Sequence, residues 1–160
     1  MDFDTVLNQY EQAKAAREAQ KREVEAQKEN KRQEELQFIV SEFERLDVHA
    51  YVLEQERQMK VQGFWVRTSK DVMRDRVNVS IEFVPVRGAE PEKAEYGTGY
   101  GNVAGLLFQG FRDVMNVSSR GFGSRQGGDD RWPWGFGEEK IRSRFAEFVT
   151  AALEDANRED

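Results

Sequence analysis

Arginine and aromatic residues interleave on a glycine-rich stretch, SSRGFGSRQGGDDRWPWGFG, between Ser118 and Gly137. Arg120, Arg125 and Arg131 alternate there with Phe122, Trp132, Trp134 and Phe136. Guanidinium groups beside flat rings suit two binding tasks: stacking on single-stranded bases, or anchoring a protein interface. Asp129 and Asp130 lie in the middle and oppose a phosphate backbone, so a protein-binding loop is the better functional reading. The plain structural alternative is that Trp132, Trp134 and Phe136 fasten the loop to the core.

A second group of chemically informative residues opens the chain. Phe3, Val6, Leu7 and Tyr10 recur at i, i+3, i+4 and i+7, which is one apolar face of a helix. Burying such side chains is worth about 1.5–3 kcal/mol each. The expected use is docking on a protein partner, a second copy included. The alternative is a fold-back of this face onto the chain's own core.

Catalytic and cofactor chemistry finds little support. The chain has no cysteine, which excludes disulfides, thiol catalysis and thiolate metal sites. His49 is the single histidine, and no Ser or Cys nucleophile stands near it in a recognisable motif. Among the carboxylates, Asp71, Asp75 and Glu82 are the ones near strand-like segments. Spacing alone assigns them no hydrolytic or metal-binding pair. The segment YGTGYGN has glycines at Gly97, Gly99 and Gly101, but neither the dinucleotide fingerprint nor the P-loop pattern is present. No catalytic residue, metal site or cofactor is therefore expected, and the chain reads as a non-enzyme.

Charge and composition agree with that reading. The 160 residues are 38% hydrophobic and 34% charged, so part of the chain should be solvated on all sides. The net charge of −6 argues against nucleic acid as a general partner, although a local basic site would survive it. The N-terminus lacks the basic and apolar regions of a signal peptide, and no apolar run is long enough to span a membrane. A cytoplasmic protein is expected.

These groups must be positioned by the surrounding elements. Asp2 to about Asp47 contains no Gly or Pro and is rich in good helix formers, so one long helix of roughly 65 Å is predicted. Asp2 or Asp4 can cap it. Leu36, Ile39, Val40, Phe43 and Leu46 form an apolar face at its far end. Between Arg17 and Glu35 the apolar residues are Ala19, Val24 and Ala26 alone, and spaced charges such as Lys14 with Glu18 and Lys21 with Glu25 support the helix. Apolar heptads are missing, so a coiled coil is not expected. Residues 1–35 then read as a solvated helical arm with an apolar tip, and 36–160 as a compact domain.

Within the domain, His49–Glu54, Val61–Thr68 and Val77–Phe83 read as strands of an antiparallel meander, with Ser69–Arg76 as a connection. Eleven of the thirteen glycines fall between Gly97 and Gly137. Asn102–Val117 carries a helical pattern through Val103, Leu106, Leu107, Phe111 and Val114, which Gly105 and Gly110 weaken. Ser118–Gly137 reads as a long loop, and Glu138–Ala156 as an amphipathic helix with Ile141, Phe145, Phe148, Val149 and Ala152 on its face. The expected class is α+β: a small antiparallel sheet of about three strands, packed by the C-terminal helix and preceded by the long charged helix. This layout also occurs in small phage-encoded inhibitors and in virion or complex-assembly subunits, a likeness of plan and not of residues. The function expected is an inhibitor, adaptor or assembly factor that docks through the helical arm and the Arg/aromatic loop. Single-stranded nucleic-acid binding by the same loop is the alternative.

Overall fold

In the computed structural model, which describes residues 2–93, 101–121 and 129–158, the chain is α+β. Helix α1 runs over Phe3–Arg45 and α2 over Val48–Val61. Strands β1 (Val66–Val72), β2 (Val77–Phe83), β3 (Ala104–Gly110), β4 (Val114–Arg120) and β5 (Asp130–Pro133) follow, and α3 (Glu138–Ala156) ends the order. The strands form one antiparallel sheet in the order β1-β2-β3-β4-β5. The chain divides into two compact units, Met1–Glu35 and Leu36–Asp160. Among the described residues, no helix is long and apolar enough to cross a membrane.

The first helix matches its expected extent, and so does the last. Asp2 starts α1 as its side chain accepts from the Thr5 backbone N–H at 3.0 Å and from the Thr5 hydroxyl at 2.7 Å. The helix stops where Asp47 enters the left-handed region at φ 55°, a conformation that a short polar side chain tolerates. The Tyr51 N–H then bonds the Asp47 carbonyl at 2.9 Å, which begins a new helix at once.

That new helix corrects the strand expected at His49–Glu54. Val48 and Val52 are fully buried, and half-buried Tyr51, Gln55 and Met59 continue the same helical face. A strand would have sent alternate residues of this stretch inward, leaving charged Glu54 and Glu56 to compete for the core. Gly63 closes the helix at φ 90°. Its N–H bonds the Lys60 carbonyl at 3.0 Å, and the Phe64 N–H bonds the Met59 carbonyl at 3.1 Å. This pair of bonds around a left-handed glycine is a Schellman stop.

Three further corrections enlarge the sheet from about three strands to five. The helix expected over Asn102–Val117 is instead the hairpin of β3 and β4, joined through the bond from Phe111 N–H to the Val114 carbonyl at 2.8 Å. Ala104, Leu106, Phe108 and Gly110 of β3 all face inward with Met115 and Val117 of β4. Such a densely apolar central strand mimics a helical face over a short window. The connection expected at Ser69–Arg76 shrinks to the turn after β1, where the Met73 N–H meets the Arg76 carbonyl at 2.8 Å. The long loop at Ser118–Gly137 contains the end of β4 and all of β5.

The core lies on one face of the sheet, under α2, α3 and the last turns of α1. Ile39, Phe43 and Leu46 of the Leu36–Asp160 unit meet the inward row Val77, Val79, Ile81 and Phe83 of β2. From α3, Ile141, Phe145, Phe148 and Ala152 complete it. Edge-to-face ring pairs tie α3 to its neighbours: Phe148 meets Phe83 of β2 at 5.6 Å, and Phe145 meets Tyr51 of α2 at 5.7 Å. Gly110 is obligatory at its place, since a Cβ there would strike the Phe43 ring and stand 2.9 Å from an Ile39 methyl.

Candidate functional site

The N-terminal helical face is built from Phe3, Val6, Leu7 and Tyr10. Their relative exposures are 74%, 48%, 37% and 57%, which leaves apolar surface in water on each. The buried residues of α1 are Ile39 and Phe43, both in its last two turns. Hydrogen bonds from Thr5, through its side chain first and its backbone second, hold the Asp2 carboxyl below the usual carboxylate range. The start of the helix is therefore specified locally, and the four apolar side chains share one face of its first two turns. Along the middle of α1, Arg32 pairs with Glu29 at 3.3 Å and the Arg17 guanidinium donates to the Ala13 carbonyl at 3.4 Å.

The Arg/aromatic segment separates into inward and outward residues. Trp132 is buried and Trp134 half-buried. The Trp134 indole N–H donates to the Phe111 carbonyl at 2.9 Å, and its ring stacks on Phe136 at 5.9 Å and meets Phe43 edge-on at 6.2 Å. The Trp132 ring contacts Phe136 at 5.2 Å and carries the Lys140 ammonium at 5.0 Å. Both tryptophans thus serve as fasteners between the sheet and the helices. Asp130 has a similar task, accepting from the largely buried Arg144 side chain at 2.8 Å. Phe122 and Arg125 lie outside the described residues.

Arg120 and Arg131 stay on the surface, on the sheet face opposite the core. Arg131 stands beside Asn116 in the pairing of β4 with β5. Arg120 reaches across β3 to the Glu82 carboxylate at 3.1 Å, and Arg67 approaches the same carboxylate from β1 at 3.0 Å. Gly105 lies between Glu82 and Arg120 in the register, and a Cβ there would stand 3.1 Å from the Arg120 Nε. The missing side chain is what lets the guanidinium lie across the strand. Beside this Arg–Glu–Arg row, Ser80, Leu107 and Ser118 floor a shallow cleft of about 190 Å³. Asn78 and Asn116 each turn a desolvated amide oxygen onto the same face, and neither oxygen finds a hydrogen-bond partner among the described residues.

The sequence flags Glu82 as a carboxylate near a strand, but not its pairing with Arg67 and Arg120 beside Gly105. The only signal was a glycine in mid-strand, legible as such once β3 is known to be a strand. The other flagged acids do not converge: Asp75 pairs with Arg76 at 2.9 Å, and Asp71 is exposed on β1. His49 sits in the first turn of α2. Among the described residues no group of three His, Asp or Glu could hold a metal ion. Of the YGTGYGN segment, Gly101 and Asn102 are described, and Asn102 clamps a turn by donating to the Glu90 carbonyl at 2.8 Å and accepting from the Glu92 N–H at 2.7 Å. No protein-family model matches the chain, and no match is found among curated proteins or solved structures.

Proposed function

We propose that the protein is a non-catalytic binding protein, an inhibitor, adaptor or assembly factor, whose N-terminal helical face docks in an apolar groove of a protein partner. The observation that carries this reading is the exposure of Phe3, Val6, Leu7 and Tyr10 together on one well-capped helical face. Anchors at i, i+3, i+4 and i+7 are the form in which helix-in-groove recognition is read. The outward Arg120 and Arg131 supply a second, polar contact. The stacking role on single-stranded bases loses support, because Trp132 and Trp134 spend their faces on Phe136, Phe43 and Lys140.

The test is capture of partners from the native source by the full chain, beside a Leu7→Asp variant. Loss of a specifically captured protein, with the melting temperature unchanged, is the expected result. Equal capture by both chains, or unfolding of the domain by Leu7→Asp, would refute the docking role.

A further inference from the structure

We infer that strand β1 is a self-complementary edge, through which two copies of this chain join their sheets about a two-fold axis at Ser69. β1 is outermost in the sheet order, and among the described residues no strand lies along its outer side. Only Val66 of its seven residues is buried. An open edge of this kind is a template for another strand unless something blocks it.

The backbone fixes which groups face outward. The Trp65 carbonyl accepts from the Val84 N–H at 3.1 Å, and the Met73 N–H donates to the Arg76 carbonyl at 2.8 Å. In an antiparallel ladder alternate residues bond the same neighbour, so the odd-numbered residues of this stretch bond β2. Val66, Thr68, Lys70 and Val72 therefore aim their N–H and C=O groups at the open side. A partner strand must pair even residues with even ones, which a two-fold axis through any single residue satisfies.

The charges then choose the axis. Centred on Ser69, the sequence VRTSKDV places Val66 opposite Val72, Arg67 opposite Asp71 and Thr68 opposite Lys70. Each Arg67 faces the Asp71 of the other copy, so the interface holds two such pairs. Arg67 and Asp71 stand in the positions where no backbone bond intervenes and Cα atoms come within about 4.5 Å, the closest side-chain approach in a sheet. Lys70 of one copy meets Thr68 of the other, whose hydroxyl already holds the Glu56 carboxylate at 2.6 Å, so a second ion pair is within reach. Moving the axis one residue on, to Lys70, opposes two lysines. Moving it one residue back, to Thr68, sets Asp71 opposite Trp65. Only the Ser69 register matches charge with charge, and it makes about eight inter-chain backbone hydrogen bonds. The interface is isologous and closes on itself, so it stops at a dimer.

The chain contains no cysteine, which makes the register directly testable. Ser69→Cys places two thiols opposite each other at a separation a disulfide can span. Under mild oxidation this variant should cross-link to a dimer, while Ser143→Cys on exposed α3 should not. By sedimentation equilibrium the full chain should be a dimer, and Asp71→Arg should weaken it by at least about tenfold. Leu7→Asp should leave the dimer unchanged, which separates this interface from the docking face of α1. Circular dichroism melts establish that each variant is folded. A full chain that stays monomeric, a dimer indifferent to Asp71→Arg, a dimer lost with Leu7→Asp, or equal cross-linking at Ser69 and Ser143 would each overturn the inference.

Discussion

Adding one methyl group at Gly110 should destabilise the domain more than any surface change of similar size. Gly110 ends β3 directly under the last turns of α1, and a Cβ there would collide with the Phe43 ring and press on Ile39 at 2.9 Å. Neither neighbour can swing aside, because Phe43 and Ile39 are 4% and 1% exposed in the core. Overpacking of this kind costs about 1–3 kcal/mol, and a collision with two tightly buried side chains belongs at the upper end. For a domain of this size about 3 kcal/mol lowers the melting temperature by roughly 6–12 °C. Gly137→Ala is the clash-free control, since its Cβ would enter open space and its φ of −98° suits any residue, leaving only the small capping loss of Ala at the start of α3. Urea unfolding of both variants gives the two stabilities. Adding Phe43→Leu to Gly110→Ala should return part of the loss, with a coupling of about 1 kcal/mol or more. If Gly110→Ala is as stable as Gly137→Ala, then Phe43 does not pack on β3 and the placement of the last turns of α1 is wrong.

Three other outcomes follow from particular contacts. Gly105→Ala should cost little stability, because its Cβ meets the flexible Arg120 side chain, yet it should displace Arg120 from Glu82, visible as an altered Arg120 Nε signal by NMR. Trp134→Phe should cost about 1–3 kcal/mol in urea unfolding, since it leaves the Phe111 carbonyl without its indole donor at 2.9 Å. Glu54 should titrate at about 2, held below its ordinary 4.5 first by the Arg57 hydrogen bonds and then by Gln58. A depressed carboxyl contributes its stability above the unfolded value of 4.5 and loses it as the pH falls toward 2, and Arg57→Gln should move the NMR midpoint upward.

Much of the fold was legible because some segments carry one consistent local signal. Residues 3–45 have no glycine or proline, and α1 ends within two residues of the limit expected from composition. α3 has its acidic first turn and its Ile141/Phe145/Phe148 stripe, so its ends were readable too. The strict alternation Val77, Val79, Ile81, Phe83 made β2 unmistakable, since only a strand puts every second residue on one side.

The remaining elements depended on partners distant in the chain. LeuLeuPhe in β3 fits a helix and a strand equally over so short a window, and the pairing with β2 and β4 decides for the strand. Val48–Val61 became a helix because Val48 and Val52 face a core that the chain had not yet made at that point. The aromatics of the Gly/Arg segment were visible as residues, but whether Trp132 and Trp134 point into the protein or toward a partner is set by Phe43, Phe111 and Lys140, from elements far along the chain or beyond the turn. The sequence by itself determined α1, α3, β2, the absence of thiol chemistry and the apolar face at the start of α1. The tertiary structure alone decided which side chains share a sheet face, because register across strands juxtaposes residues that no local pattern links.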